Sequence, residues 1–165
     1  MNLARWWRHL SAEGSVRRRF PPRVLDAVQR EIAAGEATHR GQVCMALEAA
    51  LPAGALWRGT TARARAEHAF GVLRVWDTEH NSGVLIYVLL AERAIEIVAD
   101  RGIAARVAPA EWQAICAEMQ TRFAAGEFEA GALAGVRAAA ALLQQHFPRD
   151  GTAVANELPD RPVLL

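Results

Sequence analysis

Lysine is absent from this chain: all nineteen basic residues are arginine, set against eighteen Asp and Glu. The formal net charge of +1 leaves no global field to draw in nucleic acid, so a nucleic-acid partner is not expected. An all-arginine complement fits GC-rich coding and also supplies forked donors suited to carboxylates and phosphates. Cysteine is scarce. Cys44 and Cys116 lie amid apolar neighbours, which predicts reduced, structural thiols, and two are too few for a structural zinc site. No apolar run approaches the ~20 residues of a membrane span, and the start lacks an apolar core followed by a small-residue cleavage site. The chain is therefore expected to be cytoplasmic, without a transmembrane segment. Glycine-rich phosphate loops, EF-hand spacing, histidine pairs at metal-binding intervals, internal repeats and low-complexity tracts are all missing.

What is present describes a folded domain. Hydrophobic residues make up 52% of 165 residues and charged ones 22%, enough to bury an ordinary core. The organising stretch is residues 74–102, RVWDTEHNSGVLIYVLLAERAIEIVADRG. Its polar turn (Asp77 to Gly83) leads into Val84–Leu90, apolar on both faces and hence a buried central strand. A reversal at Glu92 and Arg93 precedes a second strand, Ala94–Ala99. Upstream, Pro22 opens a helix with Val24, Leu25, Val28 and Ile32 at helical spacing, stopped by Gly35. Gln42–Ala49 reads as the first strand, and Thr60 or Thr61 caps a helix over residues 62–73. Downstream, Pro109 starts a helix carrying Trp112, Ile115, Met119 and Phe123, Gly126 ends it, and Phe128–His146 forms the last one. A buried strand needs cover on both faces, so the order predicts a three-layer α/β/α sandwich with a small mixed β-sheet. Three parts follow: an amphipathic, basic N-terminal helix and linker (1–20), the α/β/α domain (21–148) and an extended tail (149–165).

The N-terminal segment mixes Leu3, Trp6, Trp7 and Leu10 with Arg5, Arg8 and His9, and ends in Arg17-Arg18-Arg19. Either the tryptophans pack back onto the domain, or Trp6, Trp7, Arg5 and Arg8 form a contact for a partner or membrane surface. Pairing of the two long strands as a hairpin would bring Asp77 or Asn81 beside Asp100 and Arg101. Asp77, Asn81 and Asp100 then offer hard oxygen ligands for Ca²⁺ or Mg²⁺. As a phosphatase, the same cluster would use Asp77 or Asp100 as nucleophile or base, with Arg101 on the phosphoryl oxygens. Structurally, Asp77 and Asn81 would cap the turn while Asp100 and Arg101 form a local ion pair.

The Asn-x-Gly turn running into GVLIYVLL, the second strand closing on a charged residue and glycine, and the later pattern Trp112, Met119, Phe123, Gly126-Glu127-Phe128, Gly131 together resemble the TPM domain family. The resemblance spans roughly residues 36–147. It implies an α/β/α fold, and it implies as candidate properties the calcium binding and acid phosphatase activity attributed to members working in membrane-associated settings. By position, Asn81 and Gly83 match the family's turn, and Asp100 and Gly102 its strand end. Asp100-Arg101-Gly102 departs from a Gly-aromatic-Gly run found in many members, and no C-terminal span is seen. The expectation is a soluble, bacterial-type binding or accessory module assisting membrane-associated proteins, peripheral to the membrane surface. The alternative is a divalent-metal-dependent phosphomonoesterase at Asp77 and Asp100.

Overall fold

Each strand of the sheet sends alternate side chains into two separate cores, which dictates the layering. The structure is a computed structural model that describes residues 3–12, 14–151 and 155–165. The parts of the N-terminal and tail assignments that fall on residues 1, 2, 13 and 152–154 lie outside it. Strand β1 (Gln42–Glu48) pairs in parallel with β2 (Gly83–Leu89), and β2 pairs antiparallel with β3 (Ala94–Ala99). Val43, Met45 and Leu47 share one face with Val84, Ile86, Val88, Ile95 and Ile97. Cys44, Ala46, Leu85, Tyr87, Leu89 and Val98 occupy the other. With every residue of β1 and β2 buried, both faces need helices.

The first face is covered by α2 (Ser15–Arg19), α3 (Pro22–Glu36), α7 (Pro109–Ala124) and α8 (Phe128–His146). The second is covered by α4 (Ala53–Trp57) and α5 (Ala62–Val72), the crossover between the parallel strands. Outside these layers, α1 (Leu3–Ser11) rests on the turn Leu90–Glu92, and α6 (Arg101–Ala104) follows β3. The α/β/α sandwich with a mixed sheet is therefore the observed architecture. The expected cap forms at Thr61, whose Oγ1 accepts the Ala64 N–H at 3.2 Å, and Glu111 also accepts the Ala108 N–H at 2.9 Å at the start of α7.

Two details differ from the sequence reading. Gly35 does not stop α3, which continues to Glu36. A Cβ there would sit 3.0 Å from that of Ala140, so this glycine permits close packing of α3 on α8. The segment after residue 148 is not only an extended tail: Leu158 is buried, and Val163–Leu164 form β4, parallel to β1 at Ala46 and Leu47. The sheet order is β3-β2-β1-β4. Gly83 and Gly102 are glycines by necessity. A Cβ on Gly83 would lie 1.9 Å from the Val75 carbonyl oxygen, and one on Gly102 would lie 2.6 Å from that of Asn81.

Candidate functional site

At the amino end of β2 the hairpin does bring two of the expected residues together. Asp100 N–H donates to the Gly83 carbonyl at 2.8 Å, which places the end of β3 against the turn before β2. Asn81 adopts a left-handed backbone (φ 51°), a region Asn tolerates well. Its Oδ1 accepts from Arg101 Nε at 2.9 Å. Asp100 caps α6: Oδ1 accepts the Arg101 backbone N–H at 2.7 Å, so the expected Asp100–Arg101 side-chain ion pair does not form. The Arg101 guanidinium goes to Asn81 instead. Asp77 stands apart, its carboxylate held by Arg74.

For a divalent ion this set is a poor fit. Asn81 and Asp77 are each engaged by an arginine, and among the described residues no three His, Cys, Asp or Glu side chains group as a metal site. One feature fits: Asp100 Oδ2 is buried and has no hydrogen-bond partner. Such an oxygen is costly unless something positive meets it.

His39 and the two cysteines take structural roles. His39 donates Nδ1–H to the Gly41 carbonyl at 3.0 Å, and burial lowers its pKa to about 4. Burial pushes Cys44 up to about 12 and Cys116 up to about 11, so neither is an activated nucleophile.

At the opposite end of the sheet, helix α1 has an unusual orientation. Its inward side is polar and pinned. Arg5 Nε donates to Glu92 Oε1 at 2.6 Å, and Arg5 Nη2 donates to the Thr60 carbonyl. His9 Nδ1 accepts the Leu51 N–H at 2.9 Å, which puts the ring proton on Nε2, 3.1 Å from Glu92 Oε1. Trp6 is half-buried against the α4–α5 core. The outward side is apolar: Leu3, Trp7 and Leu10, at steps of four and three residues, are 66%, 72% and 61% exposed. The four expected contact residues therefore divide. Trp6 and Arg5 hold the helix down, while Trp7 and Arg8 face solvent.

Beneath α1, at the carboxyl end of β1, sequence reasoning missed a buried polar triad. Glu48 accepts from Arg65 Nε at 2.9 Å, from Arg65 Nη2 at 2.7 Å and from Tyr87 O–H at 2.5 Å. A carboxylate at the end of an otherwise apolar buried strand was the signal available for it. Glu48, Arg65, Trp6, Leu10, Pro52 and Leu56 line one cleft beside α1.

Comparison with known proteins agrees with this architecture. The TPM domain family pattern matches residues 20–142. The solution structure of the BA42 protein from the psychrophilic bacterium Bizionia argentinensis superposes with a TM-score of 0.74 at 25% identity, covering 87% of this chain and 93% of that one. The N-terminal domain of a P. gingivalis protein superposes with a TM-score of 0.59 at 15% identity, covering 74% of each chain, a likeness of fold alone. No curated protein matches the chain. No helix among the described residues is long and apolar enough to cross a membrane.

Proposed function

The chain belongs to the TPM domain family, and from that premise we propose that it is an accessory binding module that rests peripherally on a membrane surface through α1, where it assists membrane-associated proteins. The observation that carries this reading is the outward apolar stripe Leu3, Trp7, Leu10 on a helix whose polar side is fixed to the domain. Burying such side chains contributes about 1.5–3 kcal/mol each. Three of them give on the order of 5 kcal/mol, and Arg8 adds about 1 kcal/mol near anionic headgroups. After the cost of association the result is weak, reversible attachment, as suits an accessory module. Flotation with phosphatidylglycerol vesicles tests it: wild type is expected to float and Trp7→Ser/Leu10→Ser to stay behind, both folded. Equal flotation of the two proteins sinks the reading.

A second reading, a Ca²⁺ or Mg²⁺ ion at Asp100, is favoured by the partnerless Oδ2. The ion would have to displace Arg101 from Asn81 to gain a second ligand. Bound metal raises thermal stability by mass action, about 2.7 kcal/mol at a hundredfold excess over Kd. A shift in wild type that is lost in Asp100→Asn would support the site, and p-nitrophenyl phosphate hydrolysis lost with it would carry the phosphomonoesterase alternative. No shift with either ion removes both.

A further inference from the structure

In open α/β sheets, ligands collect outside the carboxyl ends of parallel strands. At the carboxyl end of β2 lies a cavity of about 450 Å³, within the usual size range of small-molecule sites. Its apolar wall is Val88, Leu90, Phe123 and Phe128. Phe20, Phe123 and Phe128 form one aromatic cluster, with ring centroids 5.9, 5.9 and 5.1 Å apart. Two arginines line the same space, Arg19 from α2 and Arg93 from the β2–β3 turn.

Among the described residues neither cation makes an ion pair. Most arginines here meet a carboxylate or a carbonyl, but no ion pair joins Arg18, Arg19 or Arg93 to an acid among the described residues. No acidic residue lines the cavity. Arg19 instead stacks over the Phe128 ring, 5.1 Å from its centroid. Partial burial, then the positive charges of Arg18 and Arg93, push its pKa down, so like charges lie close together at this edge of the cavity. Arg93 also holds a left-handed backbone, φ 53°, which an arginine rarely adopts. Strain of this kind concentrates at ligand clamps.

We infer that this cavity binds a small amphiphilic oxyanion, a phosphate or carboxylate on an apolar body, with Arg19 and Arg93 on the oxyanion and the body against Val88, Leu90, Phe123 and Phe128. Planar guanidinium forks suit such oxygens. The site is distinct from the Asp100 cluster and from the outward face of α1, and does not depend on either.

Isothermal titration calorimetry with n-hexyl phosphate tests it, with n-hexanol (body without charge) and inorganic phosphate (charge without body) as comparisons. Hexyl phosphate should bind at least about tenfold tighter than either, and Arg93→Gln should weaken it about tenfold or more, the value of one lost charge-assisted contact. Arg93 is exposed on a turn, so its variant is expected to fold; Arg19→Gln supplies an independent second reading. Trp7→Ser/Leu10→Ser should leave hexyl phosphate binding unchanged, separating this site from α1. Equal affinity for hexanol, or unaltered binding in Arg93→Gln, overturns the proposal. The source of the anion is read by competition. Displacement of hexyl phosphate by phosphatidic acid vesicles, lost in Arg93→Gln, identifies a lipid headgroup. Absence of competition identifies a free amphiphile.

Discussion

Glu36, the last residue of α3, and His39, three residues further on, set up opposing pH dependences of stability that a single substitution should unmask. Glu36 Oε1 accepts the Val43 N–H at 2.8 Å, but burial dominates and raises its pKa from 4.5 to about 7, with nearby Asp160 adding to the rise. His39 is buried, and its pKa falls from 6.5 to about 4. Native Glu36 is protonated where the unfolded carboxylate is ionised. Its contribution is therefore full below pH 4.5 and is lost as pH rises through about 7. Native His39 is neutral where the unfolded imidazole is charged. Its contribution is full above pH 6.5 and is lost as pH falls through about 4. At about 1.4 kcal/mol per pH unit the His39 window is worth about 3 kcal/mol. Glu36 keeps part of its side chain in water, which reduces its share to about 2 kcal/mol. In wild type the two slopes largely cancel between pH 4.5 and 6.5. Urea denaturation of wild type and Glu36→Gln across pH 4 to 7.5 reads the difference directly, since all other titrations subtract out. The variant should gain on wild type by about 2 kcal/mol as pH rises from 4.5 to 7. A stability difference that does not change with pH would refute the reasoning.

Further outcomes follow from the packing. Tyr87→Phe removes a donor from the buried Glu48 carboxylate and should cost about 1.5–3 kcal/mol, whereas Glu48→Ala strands Arg65 and should cost about 3–5 kcal/mol, both read by urea denaturation. Gly83→Ala drives a methyl into the Val75 carbonyl and should cost at least about 2 kcal/mol. Gly71→Ala, in helix α5 with open space at its Cβ, should stabilise by about 0.5–1 kcal/mol. Cys44 and Cys116, with raised pKa values, should resist Ellman's reagent at pH 8 in the native protein and react fully in denaturant.

The layers were legible in the sequence because they follow from local rules. Alternation failed in 84–90, so the strand had to be buried on both faces, and Pro22, Pro109 and Gly126 punctuate real helix ends. The fourth strand was not legible. Two residues beyond Pro162 carry no periodic signal, and their pairing with Ala46 and Leu47 exists only through contacts more than a hundred residues apart. The role of Gly35 is not legible locally, because a glycine near a helix end looks the same whether it caps or packs. At the strand end, spacing brought Asn81 to Asp100 through the hairpin. It could not foresee that Arg74 would hold Asp77 or that Arg101 would choose Asn81 over Asp100. The amphipathic pattern of α1 was plain, yet its orientation was not. Apolar faces normally turn inward, and here contacts of His9 and Arg5 with Leu51, Thr60 and Glu92 help reverse it.

The order β3-β2-β1-β4 also bears on how the chain is made. Strand β1 is internal only once Val163 and Leu164 have arrived. During synthesis β1 and β2 can pair as soon as residue 89 is free, and β3 can close the far side soon afterwards. The outer edge of β1 at Ala46 and Leu47 stays open while some seventy further residues leave the ribosome. An unpaired apolar edge is a template for joining another chain, and exposure of this kind is what nascent-chain chaperones guard against. The residues that finish the sheet are thus translated well after the strands they complete.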